Sequence, residues 1–238
     1  MKSIRIVFVF SLISVFVISA CSQEKKYASV KLKSKEDTVS YYLGLAYGSG
    51  IKQAKIDSVF QSEAFQKGLF QAIKEDTLPV STNEMQGYLS AFFAELQQNQ
   101  IKIQYKDYIE QNKAFLVENA KKDSIVSLPS GLQYKVLKMG NGAKPAATDR
   151  IRVHYTGTLI DGTIFDSSYQ RNEPAEFNVN EVIPGWTEIV QLMPVGSKWK
   201  VFIPENLAYG GQSSPGSPIK PYSTLIFDVE LLQIVAPQ

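Results

Sequence analysis

The apolar residues of this chain change period near residue 128, and that change constrains the fold more than any other feature. Upstream, Met85, Tyr88, Leu89, Phe92, Phe93 and Leu96 fall at i, i+3, i+4, i+7, i+8 and i+11, one stripe of an α-helix. Downstream, Ile151-Arg152-Val153-His154-Tyr155-Thr156 alternates apolar and polar residues, the pattern of a half-buried strand. One segment with a helical period followed by one with a period of two predicts an α+β chain: a helical region over 37–127, then an antiparallel sheet packed on a short helix over 128–238.

Within the helical region, Asp37-Thr38 reads as a capping pair leading into Val39, Tyr42, Leu43 and Ala46. A second helix is predicted over Ser62 to Lys74, with Phe65, Leu69 and Ile73 on one face, and Pro79 ends it. Ser81 and Glu84 fit a capping box, in which each residue satisfies a backbone N–H of the other. The pattern begun at Met85 loosens but resumes through Ile103, Tyr108, Ile109, Phe115 and Leu116, without Gly or Pro between residues 88 and 128. A single helix over about 82–120 would be roughly 57 Å long at 1.5 Å per residue. Two short helices can cover only part of such a stripe, so self-association into a homodimer is expected, with a folded-back monomeric bundle as the alternative. The polar residues of this region read as solvated helix faces.

The first twenty residues have another origin. Lys2 and Arg5 precede an apolar run from Ile6 to Ile18, too short for a membrane span of about twenty residues and suited to a signal peptide. Ile18-Ser19-Ala20-Cys21 resembles the lipobox of bacterial lipoproteins, and Cys21 is the only cysteine in the chain. Lipidation of Cys21 explains an otherwise unpaired thiol in an exported protein. It also implies a lipid anchor in the cell envelope, at the outer membrane because Ser22 follows the cysteine. Residues 21–36 then form a polar, lysine-rich tether.

The C-terminal region lacks the parts of most enzyme chemistries. It has one His and no Cys, no Gly-rich phosphate loop and no paired metal ligands, so neither metal nor cofactor is expected. The formal charge of +2, with no basic cluster interleaved with aromatics, gives no nucleic-acid surface. Asp161-Gly162 is a hairpin-turn dipeptide. Lys198 to Ile203 and Thr224 to Leu231 alternate again, and Pro184-Gly185-Trp186 opens about two helical turns. His154, on the strand face opposite Tyr155, reads as a hydrogen-bonded surface residue. What the region does have is aromatic weight: Tyr155, Phe165, Phe177, Trp186, Tyr209 and Phe227.

The order of motifs then resembles the FKBP family of peptidyl-prolyl isomerases. Val153-His154-Tyr155-Thr156-Gly157, Asp161-Gly162-Thr163, Phe165-Asp166-Ser167-Ser168 and Glu181-Val182-Ile183-Pro184-Gly185-Trp186 come in sequence. Met193-Pro194-Val195-Gly196, Leu207-Ala208-Tyr209-Gly210 and Ser223 to Leu231 follow. With Leu43-Gly44 to Gly68 and Leu128 to Tyr134, the whole looks like the bacterial macrophage infectivity potentiator type. In that type a helical dimerisation module joins the isomerase domain through a long helix.

By resemblance, Trp186 is the floor of a proline pocket and Tyr155, Phe165, Val182, Ile183 and Phe227 are its walls. The Ile183 N–H would hold a substrate carbonyl, Tyr209 would donate through its hydroxyl, Asp166 would stand near the rotating carbonyl, and Arg171 would orient Asp166. Ile219 takes the place of an apolar loop residue. Asp166, Tyr209, Tyr155 and Phe227 are thus the implied catalytic set; Phe165, Val182, Ile183, Trp186, Arg171 and Ile219 are the implied binding set. The implied partners are proline-containing unfolded or partly folded polypeptides, with macrolides of the rapamycin class as ligands. Ala175, where many members carry Phe, thins one wall, and the loop over 212–221 is one residue longer than in small eukaryotic members. A holdase chaperone or surface interaction module on the same fold is the competing function.

Overall fold

The computed structural model describes residues 31–75 and 77–235. The segments expected to be a signal peptide, a lipobox with Cys21 and most of a tether lie outside the described residues. The chain divides into two compact units between Pro79 and Val80.

The first unit holds α1 (Lys35–Gln53) and α2 (Ser62–Lys74), the latter with the bounds predicted from sequence. The cap of α1 differs from the sequence reading. Ser34, not the Asp37-Thr38 pair, is the N-cap: its side chain accepts from the Asp37 N–H, and the Asp37 carboxylate accepts from the Ser34 and Lys33 N–H groups at 3.0 Å each. Asp37 is the third residue of the box, so the cap falls one turn earlier. Tyr47, Phe60 and Phe65 cluster between the helices at ring separations of 5.3–6.1 Å. No residue of either helix is buried, and Val39, Tyr42, Leu69 and Ile73 are open to solvent.

The second unit begins with α3 (Thr82–Gln104), capped by Ser81, which accepts the Glu84 N–H at 3.2 Å. The single helix expected over 82–120 is divided at Tyr105, whose φ of −102° and ψ of 16° leave the helical region; α4 (Lys106–Ala120) follows. The division follows Ile101 and Ile103, whose branched side chains crowd the preceding turn and lower helix propensity. Hydrogen bonds from the Tyr105 N–H to Ile101 and from Ile109 to the Tyr105 carbonyl carry the chain across it.

Beyond α4 lie seven antiparallel strands: β1 (Val126–Ser127), β2 (Gln133–Lys138), β3 (Arg150–Thr158), β4 (Ile164–Ser167), β5 (Ala175–Asn178), β6 (Lys198–Ile203) and β7 (Leu225–Val235). Their order is β1-β2-β6-β7-β3-β4, with β5 also on β3. The central strand β3 pairs with β7 along its length, with β5 at its start and with β4 at its end. Its alternation is as read from sequence: Ile151, Val153 and Tyr155 are buried beneath α5 (Pro184–Val190) with Val229 and Leu231 of β7 and Val201 of β6. The opposite face meets α4, where Phe115 approaches Phe202 of β6 at 6.0 Å. The Asp161-Gly162 turn is present, with Gly162 at φ +87° and its N–H donating to Leu159.

The polar residues of α4 depart from the solvated face expected of them. Asn112 and Asn119, two turns apart, are both buried. Asn119 donates to Gln133 Oε1 at 2.9 Å, and Gln133 returns a bond to the Leu116 carbonyl. Burial is tolerable because each amide has partners. Periodicity registers these residues only as polar, so the docking face is not legible in the sequence.

Candidate active site

A cavity of about 550 Å³ opens between α5 and the inner face of the sheet. Its floor is Trp186, in the first turn of α5 and only 4% exposed. Pro184 at the helix start needs no donor and has its φ already set. Gly185 lets the helix approach β6, since a Cβ there would overlap the Ile203 side chain. Thr187 donates to the Val179 carbonyl at 2.7 Å and ties the helix to the turn before it.

Three rings meet the indole edge-on: Tyr155 at 5.3 Å, Phe177 at 5.5 Å and Phe227 at 5.2 Å, with interplanar angles of 74–87°. Edge-to-face contacts of this kind favour the ring quadrupoles, by about 0.5–1.5 kcal/mol each beyond area burial. Phe165 of β4 extends the wall, edge-on to Phe227 at 5.5 Å. Val182 and Ile183 close one side, and Ile219 with Tyr209 the other, from the long loop before β7.

Polar groups are few. The Tyr155 hydroxyl donates to Asp166, and Arg171 donates to Asp166 through Nη1 and to the Tyr155 oxygen through Nη2 at 3.2 Å. Desolvation alone would raise the Asp166 carboxyl, but the bonds from Tyr155 and Arg171 and the guanidinium charge outweigh it, so its pKa lies below the ordinary carboxylate value. The Tyr155 phenol is pushed up, first by burial and then by its bond to Asp166. Asp166 is therefore ionised and fixed, and Tyr155 stays protonated near neutral pH. The Ile183 backbone N–H has no acceptor among the described residues, and neither has the Tyr209 hydroxyl, which is half exposed at the rim. Among the described residues no group of His, Cys, Asp and Glu is arranged to hold a metal.

Nine of the ten site residues named from sequence line this cavity: Tyr155, Phe165, Asp166, Val182, Ile183, Trp186, Tyr209, Ile219 and Phe227. The tenth, Arg171, stands behind Asp166 and does not line it, so its contact is with Asp166 and Tyr155. Phe177 and Glu181 line it as well and were not assigned to the site from sequence. The four-residue β5 is too short to show a period, and nothing in a lone Glu marks it as facing a cleft. Ala175 pairs with Val153 and packs on the core, while Phe177, two residues on, reaches the cavity. His154 faces away, stacked on Tyr169 at 4.4 Å and bonded to Ser168 at 2.9 Å.

Comparison with known proteins agrees with this geometry. The family model described as FKBP-type peptidyl-prolyl cis-trans isomerase matches residues 141–232, and that of the domain amino-terminal to it matches residues 36–136. The outer membrane protein MIP of Legionella longbeachae is 42% identical over 210 residues, covering 87% of this chain and 88% of its own. The FKBP-type 22 kDa peptidyl-prolyl cis-trans isomerase of Escherichia coli K12 is 43% identical, covering 84% of this chain and 96% of its own. The crystal structure of FkpA from Escherichia coli superposes with a TM-score of 0.54 at 34% identity, covering 86% of this chain and 98% of that one. An aromatic cleft with this motif order, matched along most of the chain, makes this protein a member of the FKBP-type peptidyl-prolyl cis-trans isomerases, which act on proline-containing polypeptides.

Proposed function

We propose that the cleft accelerates X–Pro rotation without covalent chemistry, by binding the twisted amide better than the planar one. Rotation faces about 18–20 kcal/mol because resonance gives the C–N bond double-bond character. The planar amide is the more dipolar form and loses most when water is removed. Binding that favours the twisted form lowers the barrier directly.

The observation that carries this reading is the indole floor of Trp186, met edge-on by three rings and flanked by the Asp166 carboxylate that Tyr155 and Arg171 hold. The proline ring would lie on Trp186, within Tyr155, Phe165, Val182 and Phe227. The unpartnered Ile183 N–H would hold a substrate carbonyl, and the Tyr209 hydroxyl would donate from the rim. Asp166, held by Arg171 and Tyr155, would face the rotating carbonyl. Macrolides of the rapamycin class would compete for the same apolar floor.

Outside the cleft, the reading extends to assembly and anchoring. The helices α1, α2 and α3 bury no residue, and Tyr88 and Ile103 of α3 are about three-quarters exposed (76% and 77%). Apolar stripes of this length need a partner, and a second copy of the chain would provide one. Cys21 would carry the lipid that holds the dimer in the envelope, at the outer membrane.

Turnover of a prolyl peptide, with circular dichroism to confirm folding, tests the cleft. Asp166→Leu removes the carboxylate that Tyr155 and Arg171 hold, and Tyr209→Phe removes one hydroxyl. A polar contact to the transition state worth about 1–3 kcal/mol should then be lost, slowing a folded enzyme roughly tenfold to a hundredfold. Full activity in folded Asp166→Leu would refute the assignment.

A further inference from the structure

The most exposed functional side chain of the cleft sits on the longest loop of the unit. Residues 208–224 contain no helix or strand, yet they carry Tyr209 and Ile219. A group on such a loop is only as well placed as the anchors of the loop.

One anchor is internal: the Tyr222 N–H donates to the Gly210 carbonyl at 2.7 Å and closes the neck. The others come from helices more than a hundred residues upstream. The Tyr222 hydroxyl donates to Gln98 Oε1 at 3.2 Å, the Tyr108 and Ser223 hydroxyls share a bond of 2.9 Å, and Asn112 Oδ1 accepts the Thr224 N–H at 2.8 Å. Asn112 is itself fixed, its amide donating to the Tyr108 carbonyl at 2.8 Å, and it is only 3% exposed. Asn is a poor helix former, and here both ends of its amide are used. The loop also comes close to the upstream helix at Gly211. A Cβ on Gly211 would lie 2.5 Å from Gln98 Oε1 and 2.6 Å from the Tyr222 hydroxyl.

We propose that Asn112 and Tyr108 are positioning residues for the isomerase: through the base of the 208–224 loop, α4 sets where the Tyr209 hydroxyl stands over the cleft. The inference rests on the role given to Tyr209 above. It separates the loop from the aromatic floor, because Phe227 is held independently by its pairing with Gly157 and Val201. Loosening the clamp therefore lowers kcat through Tyr209, while KM, set mainly by the floor, moves only by the share that Ile219 on the same loop contributes.

The test uses the full chain with Asn112→Ala and Tyr108→Phe, each alone and combined with Tyr209→Phe. The readouts are kcat and KM on a prolyl peptide and amide exchange over 208–224. Each clamp variant should lose about three- to tenfold in kcat with KM rising by less than about twofold, and its loop amides should exchange about tenfold faster or more. The kcat loss should vanish where the Tyr209 hydroxyl is already absent. Equal kcat losses in both backgrounds, or faster loop exchange with kcat unchanged, would overturn the clamp. Full activity in Tyr209→Phe alone would instead overturn the role of Tyr209. Should Asn112→Ala not fold, Tyr108→Phe, which keeps the ring and removes one hydroxyl, carries the same comparison.

Discussion

A single methyl group added at Gly157 should damage the cleft more than it damages the fold. Gly157 lies in β3 opposite Phe227 of β7 and Asp166 of β4. A Cβ there would stand 2.5 Å from two atoms of the Phe165 ring and 2.9 Å from the Phe227 ring. Carbon atoms pack at about 3.5–4.0 Å, so Phe165 must retreat by roughly 1 Å. The two rings are not equally free. Phe227 is 5% exposed and wedged against Trp186, whereas Phe165 is half buried at the rim. The strain is therefore relieved by Phe165 swinging outward. Overpacking costs about 1–3 kcal/mol, and replacing a strand glycine by alanine returns roughly 0.5–1 kcal/mol. The net loss should fall near the low end, about 1 kcal/mol, or less than about 1 M in a urea midpoint. Activity loses the displaced wall and its edge-to-face contact, about 1–1.5 kcal/mol, so kcat/KM should drop about tenfold. Prolyl-peptide turnover and urea unfolding of Gly157→Ala measure both. Adding Phe165→Leu should recover the stability and not the activity. Gly157→Ala with parental turnover and midpoint would show that the wall does not depend on this approach.

The depressed pKa of Asp166 has a definite sign. Its contribution is fully present above the unfolded carboxyl value of about 3.9 and is lost as pH falls through the lower folded value. Turnover should therefore stay flat from about pH 8 to pH 5 and fall only below about 4, and Asp166→Asn should remove that acid limb; a limb centred near pH 6 would contradict the reading. The stability share is small, because the side chain is 39% exposed. Ser168, fully buried, accepts the Tyr155 N–H at 2.8 Å and meets His154 at 2.9 Å, so Ser168→Ala should cost about 1–3 kcal/mol in urea unfolding; an unchanged midpoint would count against that bond. Light scattering should give a dimer mass for residues 22–238 and a monomer mass for residues 128–238, and a monomeric longer chain would refute assembly through the helices. Cys21→Ala should release the protein from the membrane fraction, and its continued retention there would exclude the lipid anchor.

What could be read from the sequence was whatever a local period or a motif encodes. The alternation of β3, the bounds of α2, the Asp161-Gly162 turn and nine residues of the cleft are all legible in the sequence. Side-chain periods of 2 and 3.6 are backbone geometry, and the motif order places the aromatic set. Three features waited for the tertiary structure. The helix break at Tyr105 has no Gly or Pro beside it, so no punctuation in the sequence marks it. Phe177 enters the cleft only because β5 pairs with the start of β3, a contact set by long-range register. Asn112 and Asn119 look like any solvated asparagine until the sheet comes to lie against α4. Burial of a polar group is a property of what packs upon it, and that partner is more than a hundred residues away for Asn112.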